Sequence, residues 1–211
     1  MHMLNLVLAI VAAYLIGAIP FALLVGRALK GVDVRRSGSG NVGTLNTFRT
    51  AGRRAGLLVA VLDGLKAAGA MWIGKLVGGP QGAALCGAAA VAGHCVSPYL
   101  LWLARHELGA GWKMLLRLSG GKGLASGVVA IGLIDWRALV VLLAVFGGSK
   151  LVLRSDVTWP TVIGLLTMPP VIWWLTRDGV TALAVVLVGA LVAAKHLPDL
   201  RTGFWVERTE S

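Results

Sequence analysis

Acidic side chains are scarce in this chain. Its 211 residues hold nine Asp and Glu against twenty Lys and Arg, and charged residues of both signs make up only 14%. Cysteine is scarcer still, with Cys86 and Cys95 alone. If both lie on one helix, nine residues set them about 13 Å apart along its axis. That is beyond a disulfide, and two thiols cannot complete a structural zinc site. They read as two buried small apolar residues. Linkers, internal repeats and low-complexity stretches are also missing, so the chain reads as one domain, 1–211.

What is abundant is apolar. Hydrophobic residues reach 57% and mean hydropathy is +0.80, whereas soluble domains are typically about 45–50% apolar. High apolarity with a basic excess indicates an integral membrane protein with a positive cytoplasmic face. A nucleic-acid binder would share the basic charge but not the long apolar runs. Glycine, at 29 residues, is about twice its usual share, which suits closely packed membrane helices.

Apolar segments fall at 4–26, 56–78, 82–103, 121–134, 136–154, 158–175 and 179–196. A full span needs about 20 apolar residues. The fourth segment is short, from Leu124 to Ile134, and reads as a half-length or tilted element before the polar turn Asp135-Trp136-Arg137. Segment 4–26 is too long for a signal peptide and no basic region precedes it, so it reads as a retained span. The expected fold is all-α: a polytopic membrane helix bundle of about seven transmembrane helices. With the N-terminus outside, sixteen Lys and Arg lie in inward loops or the tail and three (Lys75, Arg137, Arg177) outside. The C-terminus is then cytoplasmic.

The stretch Gly38-Ser39-Gly40-Asn41-Val42-Gly43 matches the dinucleotide fingerprint GxGxxG, and Asp63 sits twenty residues past Gly43. A dinucleotide site needs a strand before this loop, and here membrane segments flank it. The chemistry still suits phosphate. Gly38, Gly40 and Gly43 let backbone N–H groups approach an anion. Ser37, Ser39, Asn41, Thr44 and Asn46 add neutral donors, and Arg35, Arg36 and Arg49 add charge. A second loop, Ser119-Gly120-Gly121-Lys122-Gly123, is not a P-loop, but it places one ammonium among small residues just before an apolar helix, where anions are favoured. The alternatives are a basic loop touching anionic headgroups and a juxtamembrane lysine anchor.

Asp63 and Lys66 are spaced i,i+3 inside the second segment, on one helix face. Charges at that depth must pair or face a polar cavity, so they read as a structural ion pair or a site wall. His94 ends the third segment and suits either a phosphate or a backbone carbonyl. His196 ends the last segment, ahead of Pro198, Asp199 and Arg201.

Taken together, DVRRSGSGNVGTLNTFR, Asp63 with Lys66, GHCVSP, GGKGLAS and KHLPDLRTG resemble the bacterial integral-membrane glycerol-3-phosphate acyltransferases of the PlsY type, which use acyl-phosphate as donor. The motifs occur in that family's order and span nearly the whole chain. The resemblance implies acyl transfer from acyl-phosphate to the 1-hydroxyl of glycerol 3-phosphate, giving lysophosphatidic acid and phosphate in phospholipid synthesis. It places the enzyme in the bacterial inner membrane with a cytoplasm-facing site. Phosphate contacts are expected from Ser37, Gly38, Gly40, Asn41, Asn46, Arg49, His94, Gly120, Gly121 and Gly123, and catalytic roles from Ser39, Lys122, His196 and Asp199. His196, Ser39 or the donor phosphate would take the hydroxyl proton. The expected partners are the two substrates and the bilayer, with no nucleic acid, no metal and no cofactor, and the protein is expected as a monomer.

Three features depart from the family's pattern. Gly43-Thr44-Leu45-Asn46 stands where Gly-Ala-Thr-Asn is usual. Asp199 stands where an Asn three residues past the histidine is usual. The segment from Ala104 to Leu118 is longer, with an apparent surface helix. None of His2, His94, His106 and His196 has Asp five residues on, which argues against soluble-type acyl-CoA chemistry. The remaining alternatives are a same-fold acyltransferase with another acceptor and a small-anion transporter or channel, which should show repeated halves.

Overall fold

A proline breaks the first apolar stretch. In the computed structural model, which describes residues 2–106, 112–154 and 157–199, α1 (His2–Gly17) stops before Pro20 and α2 (Phe21–Lys30) follows it. Proline lacks an N–H and its ring displaces the carbonyl one turn back, so the expected single span over 4–26 is two helices. The carbonyls this leaves are taken by later side chains. Lys66 Nζ donates to Ile19 O at 3.0 Å, and Ser97 Oγ donates to Ala18 O at 2.7 Å.

After the loop and α3 (Thr44–Ala51), α4 runs from Arg53 to Cys95. Forty-three residues would reach about 65 Å if straight, roughly twice the hydrocarbon core. The chain instead folds back at Gly78 and Gly79, where φ is +60° at Gly79, ahead of Pro80. The limbs, 53–77 and 80–95, touch where a Cβ on Gly74 or Gly82 would penetrate the other residue's carbonyl. The second limb meets α1 in the same way, with Gly17 against Ala90 and Gly93 against Tyr14 O. Such small-residue contacts let membrane helices pack backbone to backbone.

The expected third segment, 82–103, ends as a continuous helix at Cys95. Ser97 then caps α5 (Pro98–Leu103) by accepting the Leu100 N–H. The expected surface helix of the longer segment is α6 (Trp112–Leu118); residues 107–111 lie outside the described set. Then come α7 (Leu124–Ile134), α8 (Trp136–Leu153), α9 (Thr158–Thr176) and α10 (Gly179–His196), with a 3-10 turn at Leu197–Asp199. Asp135 caps α8 through the Arg137 N–H, and Asp178 caps α10 through Val180 and Thr181. Every regular element among the described residues is helical.

Among the described residues, four stretches are long and apolar enough to cross a membrane: Met3–Lys30, Arg53–Leu103, Trp136–Leu153 and Gly179–His196. One of these, Arg53–Leu103, contains the fold-back. Both cysteines are free and buried, as small core residues.

Candidate active site

The first glycine loop is built on an acid. Asp33 accepts from the Arg35 N–H and Nε, both at 3.0 Å, and from Arg35 Nη2 and Arg27 Nη2, both at 2.7 Å. The Arg35 guanidinium beside Asp33 holds its carboxyl well below the usual carboxylate range. This fixes the 3-10 turn Val34–Arg36. The chain then reverses through Gly38 and Gly40, with φ of +60° and +72°. That left-handed backbone favours glycine.

The second loop is stitched to the end of α4. Gly121 N–H donates to His94 O at 3.0 Å and Ser97 N–H to Ser119 O at 2.6 Å. A Cβ on Gly120 would strike the His94 and Cys95 carbonyls, and one on Gly121 the His94 ring. These two glycines permit close packing.

Behind His94 lies the buried pair. Lys66 Nζ is 2.8 Å from Asp63 Oδ1, 2.9 Å from His94 Nδ1 and 3.0 Å from Ile19 O. Lys66 thus lies among a carboxylate, a ring nitrogen and a carbonyl, and His94 Nδ1 is also 3.5 Å from Asp63 Oδ1. The other ring nitrogen, Nε2, faces Gly121. Asp63 and Lys66 are therefore an ion pair, and Asp63 also borders the cavity.

A cavity of about 990 Å³ joins these parts. Its lining follows helical stripes: Ala84, Gly87, Val91 and His94 on α4; Leu124, Gly127, Ile131 and Ile134 on α7; Phe146 and Lys150 on α8; Thr158, Thr161, Leu165 and Met168 on α9; Val185, Val188, Val192 and Lys195 on α10. On α4, α8, α9 and α10 one end of the stripe is polar and the rest apolar. The alternating chain directions bring these ends together with Ser39, Asn41, Asn46, Arg49, Arg117 and Lys122. Thr44 Oγ1, also in the wall, is buried with no protein partner among the described residues. From the polar end the apolar stripes run about 15 Å, ten residues of helix. Five cations (Arg49, Arg117, Lys122, Lys150, Lys195) face one carboxylate, Asp63, among the described lining residues.

The cavity thus gathers Ser39, Asn41, Asn46, Arg49, Asp63, His94, Lys122 and Gly123 from widely separated motifs. Ser37, Gly38, Gly40, Gly120, Gly121 and Lys66 support its wall from outside the lining. His196 is also outside the lining: it is fully buried, with Nδ1 2.8 Å from Val192 O. Asp199 closes the last turn; its side chain, like Arg201, lies outside the described set.

Lys195, which entered the sequence reading only in the basic count and as the first residue of KHLPDLRTG, lines the cavity. It is 3% exposed, and its Nζ donates to Ser119 Oγ at 3.0 Å and to Leu116 O. Helical spacing does not single it out: Lys195 and His196 stand three and four residues past Val192, so both fall near the face of Val188 and Val192.

The fold and site define a class: an apolar helical bundle of membrane type whose cationic mouth opens on a deep apolar chamber. The chain belongs to the glycerol-3-phosphate acyltransferase family, whose model matches residues 7–204. Glycerol-3-phosphate acyltransferase 2 of Moorella thermoacetica is 43% identical over 119 residues, and that match spans 56% of this chain and about half, 53%, of the relative. Glycerol-3-phosphate acyltransferase of Desulforamulus reducens is 32% identical over 194 residues, covering 92% of this chain and 89% of that one. The crystal structure of PlsY, an integral membrane glycerol 3-phosphate acyltransferase, in its glycerol 3-phosphate form superposes with a TM-score of 0.76. The two are 25% identical, with 94% of this chain and 93% of that one covered.

Proposed function

We propose that this acyltransferase takes its acyl group from an acyl-phosphate and delivers it to the 1-hydroxyl of glycerol 3-phosphate, releasing lysophosphatidic acid and phosphate. The observation that carries this is the cavity's division into a cationic, glycine-loop mouth and an apolar interior about 15 Å deep, ten residues of helix. An acyl-phosphate divides in the same way. Family membership supplies the acceptor.

In this reading the whole chain, 1–211, is one domain. It lies in the bacterial inner membrane as a monomer of about seven spans, with the N-terminus outside and the mouth and C-terminus toward the cytoplasm. The sixteen-to-three distribution of basic residues supports that orientation. Ser39, Asn41, Arg49 and Lys122 hold the two phosphates, with His94 beneath the second loop and the first turns of α3 and α7 favouring the anions. The acceptor hydroxyl oxygen attacks the acyl carbonyl carbon. As that C–O bond forms, the bond from carbonyl carbon to phosphate oxygen breaks, and the hydroxyl proton passes to the departing phosphate. Lys122 and Arg49 stabilise the charge gathering there. The phosphate is the favoured base because His196 is not in the cavity lining. Asp199 is assigned to the acceptor side by its place in KHLPD.

The test is purified protein in lipid with acyl-phosphate, with and without glycerol 3-phosphate. Phosphate release coupled to lysophosphatidic acid is expected. Equal release without the acceptor would make the protein a hydrolase.

A further inference from the structure

Glycine is the least favoured residue inside a helix after proline, so each helical glycine calls for a reason. Most here have one in packing. Gly74, Gly82 and Gly93 meet other backbones, and a Cβ on Gly56 would lie 2.7 Å from Phe48 Cβ. Gly87 borders the cavity, but a Cβ there would sit 2.8 Å from Met71 Cγ. Gly127 differs from all of these, because an added Cβ meets nothing within 4 Å and its φ is ordinary for a helix. Gly69, Gly147 and Gly148 are equally open, but they are exposed and outside the cavity lining, and Gly189, which is in the lining, is buried with a Cβ there 3.8 Å from Leu165 O. Gly127 sits in the lining, within the stripe Leu124, Gly127, Ile131 and Ile134. Its open space is therefore the cavity.

We propose that Gly127 determines acyl-chain specificity: its missing side chain holds the passage open just below the phosphate end. The proposal rests on the reading of this cavity as the acyl-phosphate site. Gly127 lies about 4.5 Å beyond Leu124 along α7, and Ile134 about 10 Å further. An extended chain advances about 1.25 Å per carbon, given C–C bonds near 1.5 Å. A butyryl chain therefore ends near the level of Gly127, while a palmitoyl chain must pass it. A side chain at this position narrows the passage along much of the second and meets at most the end of the first. Nothing in the packing of α7 opposes it, because the space is there.

The experiment uses the full-length protein in lipid and measures kcat/KM for butyryl-phosphate and palmitoyl-phosphate in wild type, Gly127→Ala, Gly127→Leu and the lipid-facing control Gly147→Leu. Gly127→Leu should lower palmitoyl turnover about tenfold or more while butyryl turnover stays within about threefold, since pocket shape discriminates by such factors. Gly127→Ala should fall between, with a melting temperature at or above wild type, because alanine favours the helix. The KM for glycerol 3-phosphate should not move, and Gly147→Leu should keep the wild-type ratio. A folded Gly127→Leu protein with an unchanged palmitoyl-to-butyryl ratio overturns the proposal, and so does an equal fall for both donors. If wild type ignores acyl-phosphates and works with acyl-CoA, the donor reading fails, and the same ratio measured with acyl-CoA donors still judges Gly127.

Discussion

Asn46 holds Ser39. Its Oδ1 accepts the Ser39 N–H at 3.0 Å, while its Nδ2 donates to the carbonyls of Val34 and Ser37 at 2.8 and 3.0 Å. Asn46 is 2% exposed. It sits in the first turn of α3 and ties both sides of the glycine loop to that helix. An amide is needed because the site asks one short side chain both to accept and to donate. Gly38 completes the fit, since a Cβ there would collide with Asn46 Oδ1.

The first prediction follows from that geometry. Asn46→Asp keeps the acceptor but loses both donations and turns a carboxylate on two carbonyls. It should lower kcat/KM about 10- to 100-fold, since stranded buried groups cost about 1–3 kcal/mol each. Asn46→Ala should do no worse. Steady-state assays on both variants check this, and an Asp variant with wild-type activity would end the scaffold assignment.

Much of this was legible beforehand. The membrane class and the helical segments follow from hydropathy. The two glycine loops beside the cavity follow from glycine next to basic residues, and the buried pair from i,i+3 spacing inside an apolar run. What was not legible has physical reasons. The break at Pro20 matters because two distant side chains, Lys66 and Ser97, take the carbonyls beside it, and no local pattern announces such partners. The long helix Arg53–Cys95 folds back at Gly78 and Gly79, and its limbs meet at Gly74 and Gly82, whose role lies in contact with each other. Lys195 and His196 are adjacent, and which one faces the cavity depends on the rotation of α10 about its axis. Gly127 and Gly87 look alike in sequence and differ only in whether another residue fills the space beside them.

The second prediction separates two lysines. In the proposed reading Lys122→Ala removes a charge-assisted contact to phosphate worth roughly 1.5–3 kcal/mol, so kcat/KM should fall about 10- to 100-fold. Lys195→Met should lower kcat/KM and the melting temperature together, because Lys195 ties α10 to Ser119 and Leu116. Kinetics test the first, and kinetics beside melting curves the second. An unchanged rate in Lys122→Ala would make that lysine a membrane anchor.

The third prediction concerns acid. The Arg35 contact lowers the Asp33 carboxyl in the folded loop, against about 3.9 for a free Asp. A depressed folded value means that the carboxylate's support is complete above the unfolded value and is lost as pH falls through the folded one. Wild type should therefore lose loop order only on acidification below about pH 4. Asp33→Asn should be weakened already at neutral pH and show a flatter acid response. Proteolysis of the 31–43 loop against pH reads this directly. Identical profiles in the two proteins would refute it.

The last prediction concerns Asp63 and Lys66, whose side chains are 2% and 3% exposed and whose charges are 2.8 Å apart. Removing one partner of a buried pair strands the other charge, typically at about 3–5 kcal/mol, whereas removing both can be nearly neutral. Lys66→Met and Asp63→Leu should each lower the melting temperature strongly. The double variant should recover part of the loss, with a coupling of about 2 kcal/mol, within the usual range for contacting residues. Recovery should stay incomplete, because Lys66 also serves Ile19 O and His94 Nδ1. With ammonium and carboxylate both gone, His94 Nδ1 loses its two charged neighbours, so the double variant should stay catalytically impaired even where stability returns. Thermal denaturation of all four proteins, with assays on the folded ones, tests both parts. Strict additivity of the two single losses would mean that the pair is not a unit. Full activity in the stable double variant would mean that His94 needs no orientation from Lys66.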